Sequence, residues 1–110
     1  NGNVIDHALQ DKLKALFIMG ENLLINYPKG KEIQEALKKV EFLVVMDTFL
    51  TETAHVANVV LPMATYAESN GTFTNMGMTV QRTNKAIQPV AEARADWEIL
   101  CNLANKMGQS

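Results

Sequence analysis

Apolar residues follow two different periods along the first half of the chain. The run Ala15–Met19 is continuously apolar and closes at Gly20, which is typical of a strand buried on both faces. Residues 42–46 repeat that pattern and end at Asp47. Between the two runs, apolar residues recur at helical spacing with Lys and Glu between them: Ile33, Ala36, Leu37 and Val40. Strand, helix and strand within about thirty residues predict one βαβ unit, whose two strands are parallel.

Weaker patterns predict three further elements in the same half. Apolar residues near the helical period predict a first helix that contains Ile5 and ends between residues 12 and 14. Thr51 precedes a short helical segment and is suited to cap it. Residues 59–61 are predicted as a brief third strand that stops at Pro62, because proline cannot donate to a continuing ladder.

The second half of the chain alternates turn residues with two predicted elements. Residues 66–78 carry Ser, Asn and Gly in loop or hairpin order, so we expect a surface lip there. Residues 80–86 are predicted as a fourth strand and residues 89–95 as a connector. A last helix is predicted with Asp96 as its N-cap and Gly108 as its stop. One of its faces is apolar and is expected to be buried: Trp97, Leu100, Cys101, Ala104 and Met107.

Composition and charge limit the classes of partner. The chain has 110 residues, of which 47% are apolar and 20% charged, and this predicts one soluble globular domain over residues 1–110. Ten basic and twelve acidic side chains give a net charge of −2, so no positive field is present to gather nucleic acid or anionic lipid. The apolar runs are far short of the ~20 residues of a membrane-spanning helix, and we expect no direct membrane insertion.

Residue types that bind metals or phosphates in known motifs are scarce. Cys101 is the single cysteine, which excludes an internal disulfide and a cysteine-held zinc or iron-sulfur site built from this chain alone, and it favours a reducing, cytoplasmic location. His7 and His55 are far apart, with no second His or Cys at ligand spacing, so we expect no metal held by this chain. Neither GxGxxG nor GxxxxGK[ST] is present, and no common phosphate loop supports a simple NAD or ATP site.

Polar residues follow both predicted parallel strands at the point where each strand ends. Gly20-Glu21-Asn22 follows the first strand, and Asp47-Thr48 follows the second. Ligands of open parallel sheets bind outside the carboxyl ends of the strands, so these residues are candidates for the rim of a binding crevice, with Asp47 accepting hydrogen bonds from ribose hydroxyls or a base N–H. The alternative is turn and capping chemistry, since Gly, Asn and Asp are also common turn residues.

Six motifs then follow one another in a distinctive order. They are Gly20-Glu21-Asn22 and residues 42–54, 57–62, 68–75, 80–82 and 93–97. This succession resembles one region of the molybdopterin oxidoreductases, above all formate dehydrogenase catalytic (alpha) subunits, with nitrate reductases and the large subunit of respiratory complex I as relatives. The resemblance covers nearly the whole chain, and it implies a piece excised from a larger subunit.

The resemblance implies a fold and a cofactor. The fold is α/β, a Rossmann-like three-layer domain with a mostly parallel sheet, and the cofactor is one of two molybdopterin guanine dinucleotides. In this reading Asn22 and Asp47 contact the guanosine end, a loop from Ser69 to Asn75 runs beside the dinucleotide, and Asp96 is an acid near the guanine. The implied cofactor-binding residues are Gly20, Glu21, Asn22, Met46, Asp47, Thr48, Ser69, Gly71, Asn75 and Asp96.

The chain departs from the family pattern in two places. Leu23 replaces the proline that usually follows Gly-Glu-Asn, and residues 76–79 (Met-Gly-Met-Thr) replace an acidic-basic pair. The second change removes charges from the loop. It motivates an alternative reading, in which the chain is a structural domain of a complex I-like large subunit that has lost cofactor binding. A flavodoxin-like or receiver-like signalling domain is a third reading, although only Glu21 and Asp47 are available for its acidic cluster.

The resemblance also implies a division of labour within the parent enzyme. The parent is expected to oxidise formate to CO2 with electron transfer. Its molybdenum or tungsten and its iron-sulfur cluster are bound by other parts of the full-length protein. The expected partners are the remaining domains of the same subunit and electron-transfer subunits. The chain itself is expected to hold part of a cofactor site, no redox centre and no activity of its own.

Overall fold

The computed structural model describes residues 2–109, and the side chains of residues 4–109. The chain forms two compact units that divide between Leu61 and Pro62, called here the 2–61 unit and the 62–109 unit. The prediction of one domain over residues 1–110 stays a prediction, and its ends, Asn1 and Ser110, lie outside the described residues.

The 2–61 unit alternates helices and strands in the order that its sequence predicts. Its elements are α1 (Gly2–Leu9), β1 (Ala15–Met19), α2 (Leu23–Asn26), α3 (Gly30–Lys39), β2 (Phe42–Asp47), α4 (Glu52–His55) and β3 (Val59–Pro62), the last of which ends one residue past the boundary. The predicted bounds of both long strands are confirmed, and a short helix follows Thr51 as predicted. Thr51 caps α4 as predicted, because its Oγ1 accepts a hydrogen bond from the backbone N–H of Ala54.

The three strands form one parallel sheet with β2 in the centre. β1 and β2 run parallel in register from the Ala15–Phe42 pair to the Met19–Met46 pair, which confirms the predicted βαβ unit and the α/β fold class. The prediction that β1 is buried on both faces is wrong at its ends. β1 is an edge strand, so Ala15 and Met19 remain exposed.

The core of the 2–61 unit lies between α3 and the sheet. Ile33 and Leu37 of α3 pack with Leu43 and Val45 of β2 and with Ile18 of β1. Ala36 and Val40 lie one helical step away and pack with α1. The burial of Ile33, Ala36, Leu37 and Val40 is therefore predicted correctly by their helical spacing, because one stripe of the helix faces the sheet and α1.

Helix α1 ends at Leu9, three or more residues earlier than its apolar pattern predicts. Asp11 has a φ of +57°, in the left-handed region. The N–H of Asp11 donates to the carbonyl of Ala8 at 3.1 Å, and the N–H of Lys12 donates to the carbonyl of His7 at 2.9 Å. These two bonds are the Schellman pattern, which closes a helix regardless of the apolar residues that follow.

The 62–109 unit contains a hairpin and one long helix. β4 (Gly71–Thr74) and β5 (Val80–Thr83) pair antiparallel in a sheet of their own. The predicted fourth strand over residues 80–86 is therefore too long and does not extend the parallel sheet. Beyond Thr83 the chain leaves the ladder, because the N–H of Lys85 donates to Oδ1 of Asn70 and the N–H of Ala86 donates to the carbonyl of Ala67.

Helix α5 (Asp96–Lys106) is placed correctly, but two details of its prediction are wrong. Its N-cap is Ala95, one residue before Asp96. The apolar face that was expected to be buried is not, since Cys101 is exposed and Trp97 and Met107 are 55% and 75% exposed. Periodicity shows that a helix has an apolar face but not what covers it, and nothing within residues 62–109 buries this one. Gly108, with a φ of +87°, stops the helix as predicted.

Candidate functional site

The carboxyl ends of β1 and β2 meet at one edge of the parallel sheet. The backbone N–H of Gly20 donates to the carbonyl of Met46 at 2.8 Å, one step beyond the last paired residue of β1. Gly20 then turns with a φ of +61°, a conformation that favours glycine. The turn at residues 20–22 is thereby held against the end of β2. Met46 itself is fully buried, so it exposes no atom here and shapes this edge through its carbonyl bond to Gly20.

Both the oxygen and the nitrogen of the Asn22 side-chain amide form hydrogen bonds with helix α4. Its Oδ1 accepts a hydrogen bond from Oγ1 of Thr53 at 2.8 Å, and its Nδ2 donates to Oε2 of Glu52 at 2.8 Å. Thr53 is fully buried, and its Oγ1 also accepts from the backbone N–H of Leu24 at 3.2 Å. The hydrogen bond from Asn22 lowers the pKa of the Glu52 carboxyl below its ordinary value. Sequence reasoning missed Glu52 and Thr53 as neighbours of Asn22.

Glu21 lies before α2 and its N-cap Asn22, and its side chain bonds to the last residue of that helix. Its Oε1 accepts a hydrogen bond from Nδ2 of Asn26 at 2.6 Å, across one turn of α2. The side chain is half-buried. One carboxylate oxygen of Glu21 is thus committed to α2, and the residue both shapes the turn and adds negative charge beside it.

Asp47 combines a capping role with spare acceptor capacity. Its Oδ1 accepts from the backbone N–H of Thr48 at 2.7 Å and of Phe49 at 3.3 Å. No partner for the second oxygen, Oδ2, occurs among the residues that the structure describes. The two readings of Asp47 from its sequence position are therefore compatible, because one oxygen serves the turn while the other remains able to accept a hydrogen bond.

The charge at this edge selects the kind of ligand it suits. Residues 20–22 and 47–53 carry three carboxylates, those of Glu21, Asp47 and Glu52, and no Lys or Arg. Such a surface repels phosphates and attracts hydroxyl and N–H donors. It therefore suits the sugar or base part of a nucleotide better than its pyrophosphate.

The other four predicted cofactor residues lie in the 62–109 unit, where each makes a local bond. Oγ of Ser69 donates to the carbonyl of Thr65, and the carbonyl of Gly71 accepts from Oγ1 of Thr83. Oδ1 of Asn75 accepts from the N–H of Thr79 and closes the hairpin tip. The fourth, Asp96, accepts the N–H of Trp97 through Oδ1. These bonds explain local structure and leave the predicted cofactor contacts as predictions.

Glu68 is a buried carboxylate that sequence reasoning passed over. Its Oε2 accepts from the N–H of Thr65 at 2.7 Å, and its Oε1 accepts from the N–H of Val90 at 2.8 Å. These bonds lower the pKa of the Glu68 carboxyl and join both ends of the segment that carries the hairpin. The Thr65-x-x-Glu68 spacing, typical of a capping box, is the signal that could have revealed the first bond. The bond to Val90 spans 22 residues and has no local signal.

Neither a metal-binding cluster nor a membrane-spanning helix occurs among residues 2–109. Within residues 2–109, no three His, Cys, Asp or Glu side chains lie together in an arrangement that would hold a metal ion. None of the helices in that part of the chain is long and apolar enough to cross a membrane.

Comparison with known proteins gives consistent matches over nearly the whole chain. A family model described as molybdopterin oxidoreductase matches residues 2–106. The F420-dependent formate dehydrogenase subunit alpha of Methanocaldococcus jannaschii is 52% identical over 96 residues, which are 87% of this chain and 14% of that protein. The NADPH-Fe(3+) oxidoreductase subunit alpha of Geobacter sulfurreducens is 41% identical over 104 residues, 94% of this chain and 12% of that protein.

A solved structure shares the fold. Acetylene hydratase from Pelobacter acetylenicus superposes with a TM-score of 0.84 at 24% sequence identity, over 96% of this chain and 15% of that one. At this identity the likeness concerns the fold. The chain thus spans between about one eighth and one seventh of the length of the two curated relatives and of this structure.

Proposed function

Since the chain belongs to the molybdopterin oxidoreductase family, as its motif order predicts, we propose that it binds the guanosine end of one molybdopterin guanine dinucleotide. The binding site is the carboxyl edge of the parallel sheet, formed by the turn at residues 20–22 and by the end of β2 at residues 46–48. The observation that carries the proposal is the bond from Gly20 N–H to the Met46 carbonyl, because it puts both polar segments at one sheet edge.

The hydrogen-bond acceptors at this sheet edge support binding of the guanosine end in particular. Asp47 has one oxygen occupied by backbone N–H groups, so a single oxygen is left for a ligand. A carboxylate needs both oxygens to bind the N1–H and the exocyclic amine of guanine together. One oxygen is enough for a ribose hydroxyl. We therefore assign Asp47 to the ribose, and the three carboxylates of the edge argue against the pyrophosphate.

The wider proposal concerns the parent protein. Formate dehydrogenase alpha subunits among the relatives support a parent that oxidises formate, with the chain as one cofactor-binding part of it. When bound, the metal-bearing pterin supplies the redox chemistry, and its metal ligands lie in other parts of the parent. The chain's own residues bind and orient the nucleotide. Ser69, Gly71, Asn75 and Asp96 are proposed as further contacts along the dinucleotide.

Substitution of Asp47 in the full-length parent subunit tests the proposal. Asp47→Asn keeps an oxygen that can accept from Thr48 and Phe49, but it replaces the free acceptor with an N–H2 donor. Asp47→Ala removes both functions. We expect both variants to weaken cofactor retention by about 1–3 kcal/mol, the range for a hydrogen bond to a charged group. Only Asp47→Ala should also lower stability, by about 1 kcal/mol for a lost cap.

The measurements are guanine nucleotide content per purified subunit and the melting temperature of the cofactor-free protein. The proposal fails if Asp47→Asn retains the cofactor at the wild-type level while Asp47→Ala loses only stability. That outcome would leave Asp47 as a turn residue and would favour the alternative of a structural domain without cofactor binding.

A further inference from the structure

We infer that Thr53, together with Glu52, is a positioning residue of the guanosine site: the two side chains of α4 hold the amide of Asn22 in one orientation. The inference rests on the proposed function. It assigns part of the site's geometry to a fully buried hydroxyl that does not itself reach the ligand.

The hydroxyl of Thr53 accepts one hydrogen bond and donates another. The backbone N–H of Leu24 donates to Thr53 Oγ1 at 3.2 Å, so the hydroxyl proton is free to point elsewhere. That proton is donated to Oδ1 of Asn22 at 2.8 Å. Oδ1 of Asn22 gives the hydroxyl proton its acceptor, but a hydroxyl has a second lone pair and could also face an N–H, so the orientation of the amide is decided by its other neighbour, Glu52.

Glu52 fixes the other head of the same amide. A carboxylate only accepts hydrogen bonds, so its Oε2 at 2.8 Å requires Nδ2 of Asn22 to face it. A rotated amide would place Oδ1 against that carboxylate and repel it. The lowered pKa of the Glu52 carboxyl follows from the same bond and keeps the group ionised over a wider pH range. One orientation of the Asn22 amide is therefore favoured over the other.

The same network replaces an ordinary helix cap. Asn22 is the N-cap of α2, yet its side chain makes no bond to the first turn of that helix. The N–H of Leu24, which a capping side chain usually satisfies, is bonded by Thr53 instead. Thr53 thus frees Asn22 from capping and ties the turn after β1 to α4, residues about thirty positions apart in sequence.

After these bonds, Asn22 still has hydrogen-bonding groups available to a ligand. An amide has two N–H donors and two acceptor positions, so Asn22 keeps one of each after its bonds to α4. Because both ends of the amide are bonded to α4, one orientation is favoured and the positions of that donor and that acceptor are biased before a ligand arrives. Preorganisation of this kind strengthens binding by removing an ordering cost.

The test uses the full-length parent subunit and three substitutions in or beside α4. Thr53→Val removes the hydroxyl at constant shape, and Thr53→Ser retains it. Thr51→Val is the matched control, because it removes the cap of α4 itself without touching Asn22. We expect Thr53→Val to lose its guanine nucleotide about tenfold faster than the wild type. Thr53→Ser should behave as the wild type, and Thr51→Val should retain the cofactor even where its melting temperature falls equally.

A second variant keeps the inference testable if Thr53→Val does not fold. Glu52→Ala removes the acceptor of Asn22 Nδ2 at an exposed position and leaves Asn22 itself unchanged, so it should lose the nucleotide as Thr53→Val does. Retention by Glu52→Ala, or equal nucleotide loss in Thr53→Val and Thr51→Val at equal melting temperature, would overturn the inference. If Asp47→Asn loses the cofactor while Thr53→Val and Glu52→Ala keep it, the positioning role falls and the proposed function stands. If all three keep it, both fall.

Discussion

Residues up to Leu61 bury ten hydrophobic side chains, whereas the segment from Pro62 buries two, Ala64 and Ala95, among the side chains that the structure describes. The 2–61 unit closes its core with α3 against a parallel sheet. The 62–109 unit leaves the apolar face of α5 and the hairpin tip exposed, with Met76 fully accessible. The two ends of its segment 65–90 are held together instead by the buried carboxylate of Glu68, which accepts hydrogen bonds at both ends.

The comparison teaches that similar hydrophobic patterns have different structural outcomes in the two units. In α3, the apolar stripe meets the sheet and α1, and it is buried. In α5, a less sharply defined apolar stripe meets no covering element among the residues described for its own unit. The 2–61 unit therefore has the packing needed to hold a site rigidly, while the 62–109 unit depends on polar bonds that water and acid can compete for.

The largest expected effect is a loss of unfolding free energy when the core of the 2–61 unit is truncated. Leu43→Ala removes a fully buried side chain of the central strand and leaves a cavity, which we expect to cost about 2–5 kcal/mol of unfolding free energy. Urea titration followed by circular dichroism measures it. Leu100→Ala in α5 is the matched control, because the same truncation at a 39% exposed position should cost less than about 1 kcal/mol. Equal losses for the two variants would contradict the contrast between the units.

These outcomes also mark what the sequence predicts and what it does not. The βαβ unit, α3 and α4 follow from local spacing and capping, because each is decided by residues within a few positions of one another. The end of α1 was predicted wrongly, because the left-handed conformation of Asp11 overrides the apolar period. The burial of Cys101 was predicted wrongly, because covering a helix face depends on distant parts of a fold.

A smaller and more local effect concerns Glu68. Its pKa is lowered in the folded chain by the N–H groups of Thr65 and Val90, so its stabilising contribution is present above the ordinary pKa of a glutamate, about 4.3. That contribution is lost as the pH falls through the lower, folded-state pKa. Acidification should therefore raise the amide exchange rates of Thr65 and Val90, beyond the intrinsic pH dependence of exchange, before the core of the 2–61 unit opens.

Two variants check this pH dependence by hydrogen exchange. Glu68→Gln replaces one acceptor with a donor, so Thr65 or Val90 should exchange rapidly at every pH tested and lose the extra acid sensitivity. Glu92→Gln is the control, because Glu92 is exposed and has no hydrogen bond described for its side chain. The polar account of the 62–109 unit is wrong if the two variants exchange alike.

In the candidate site too, features set by nearby residues could be predicted and contacts between distant residues could not. The positions of Gly20, Asn22 and Asp47 at strand ends could be predicted, because parallel strands bring their carboxyl ends to one edge. The partners of Asn22 could not, since Glu52 and Thr53 lie about thirty residues away and meet it only once α4 is packed. The capping bonds of Asp47 were foreseen as one of two readings, and the structure accommodates both.

Hydrogen exchange of the full-length parent subunit, compared with and without its cofactor, tests the central claim most directly. If the sheet edge of the 2–61 unit binds the guanosine end, loading should slow exchange of the backbone amides at residues 20–22 and 47–49. The amides of α3 (Gly30–Lys39), on the core side of the sheet, should change little and serve as the internal control. Unchanged exchange at both edge segments in a fully loaded subunit would contradict the account.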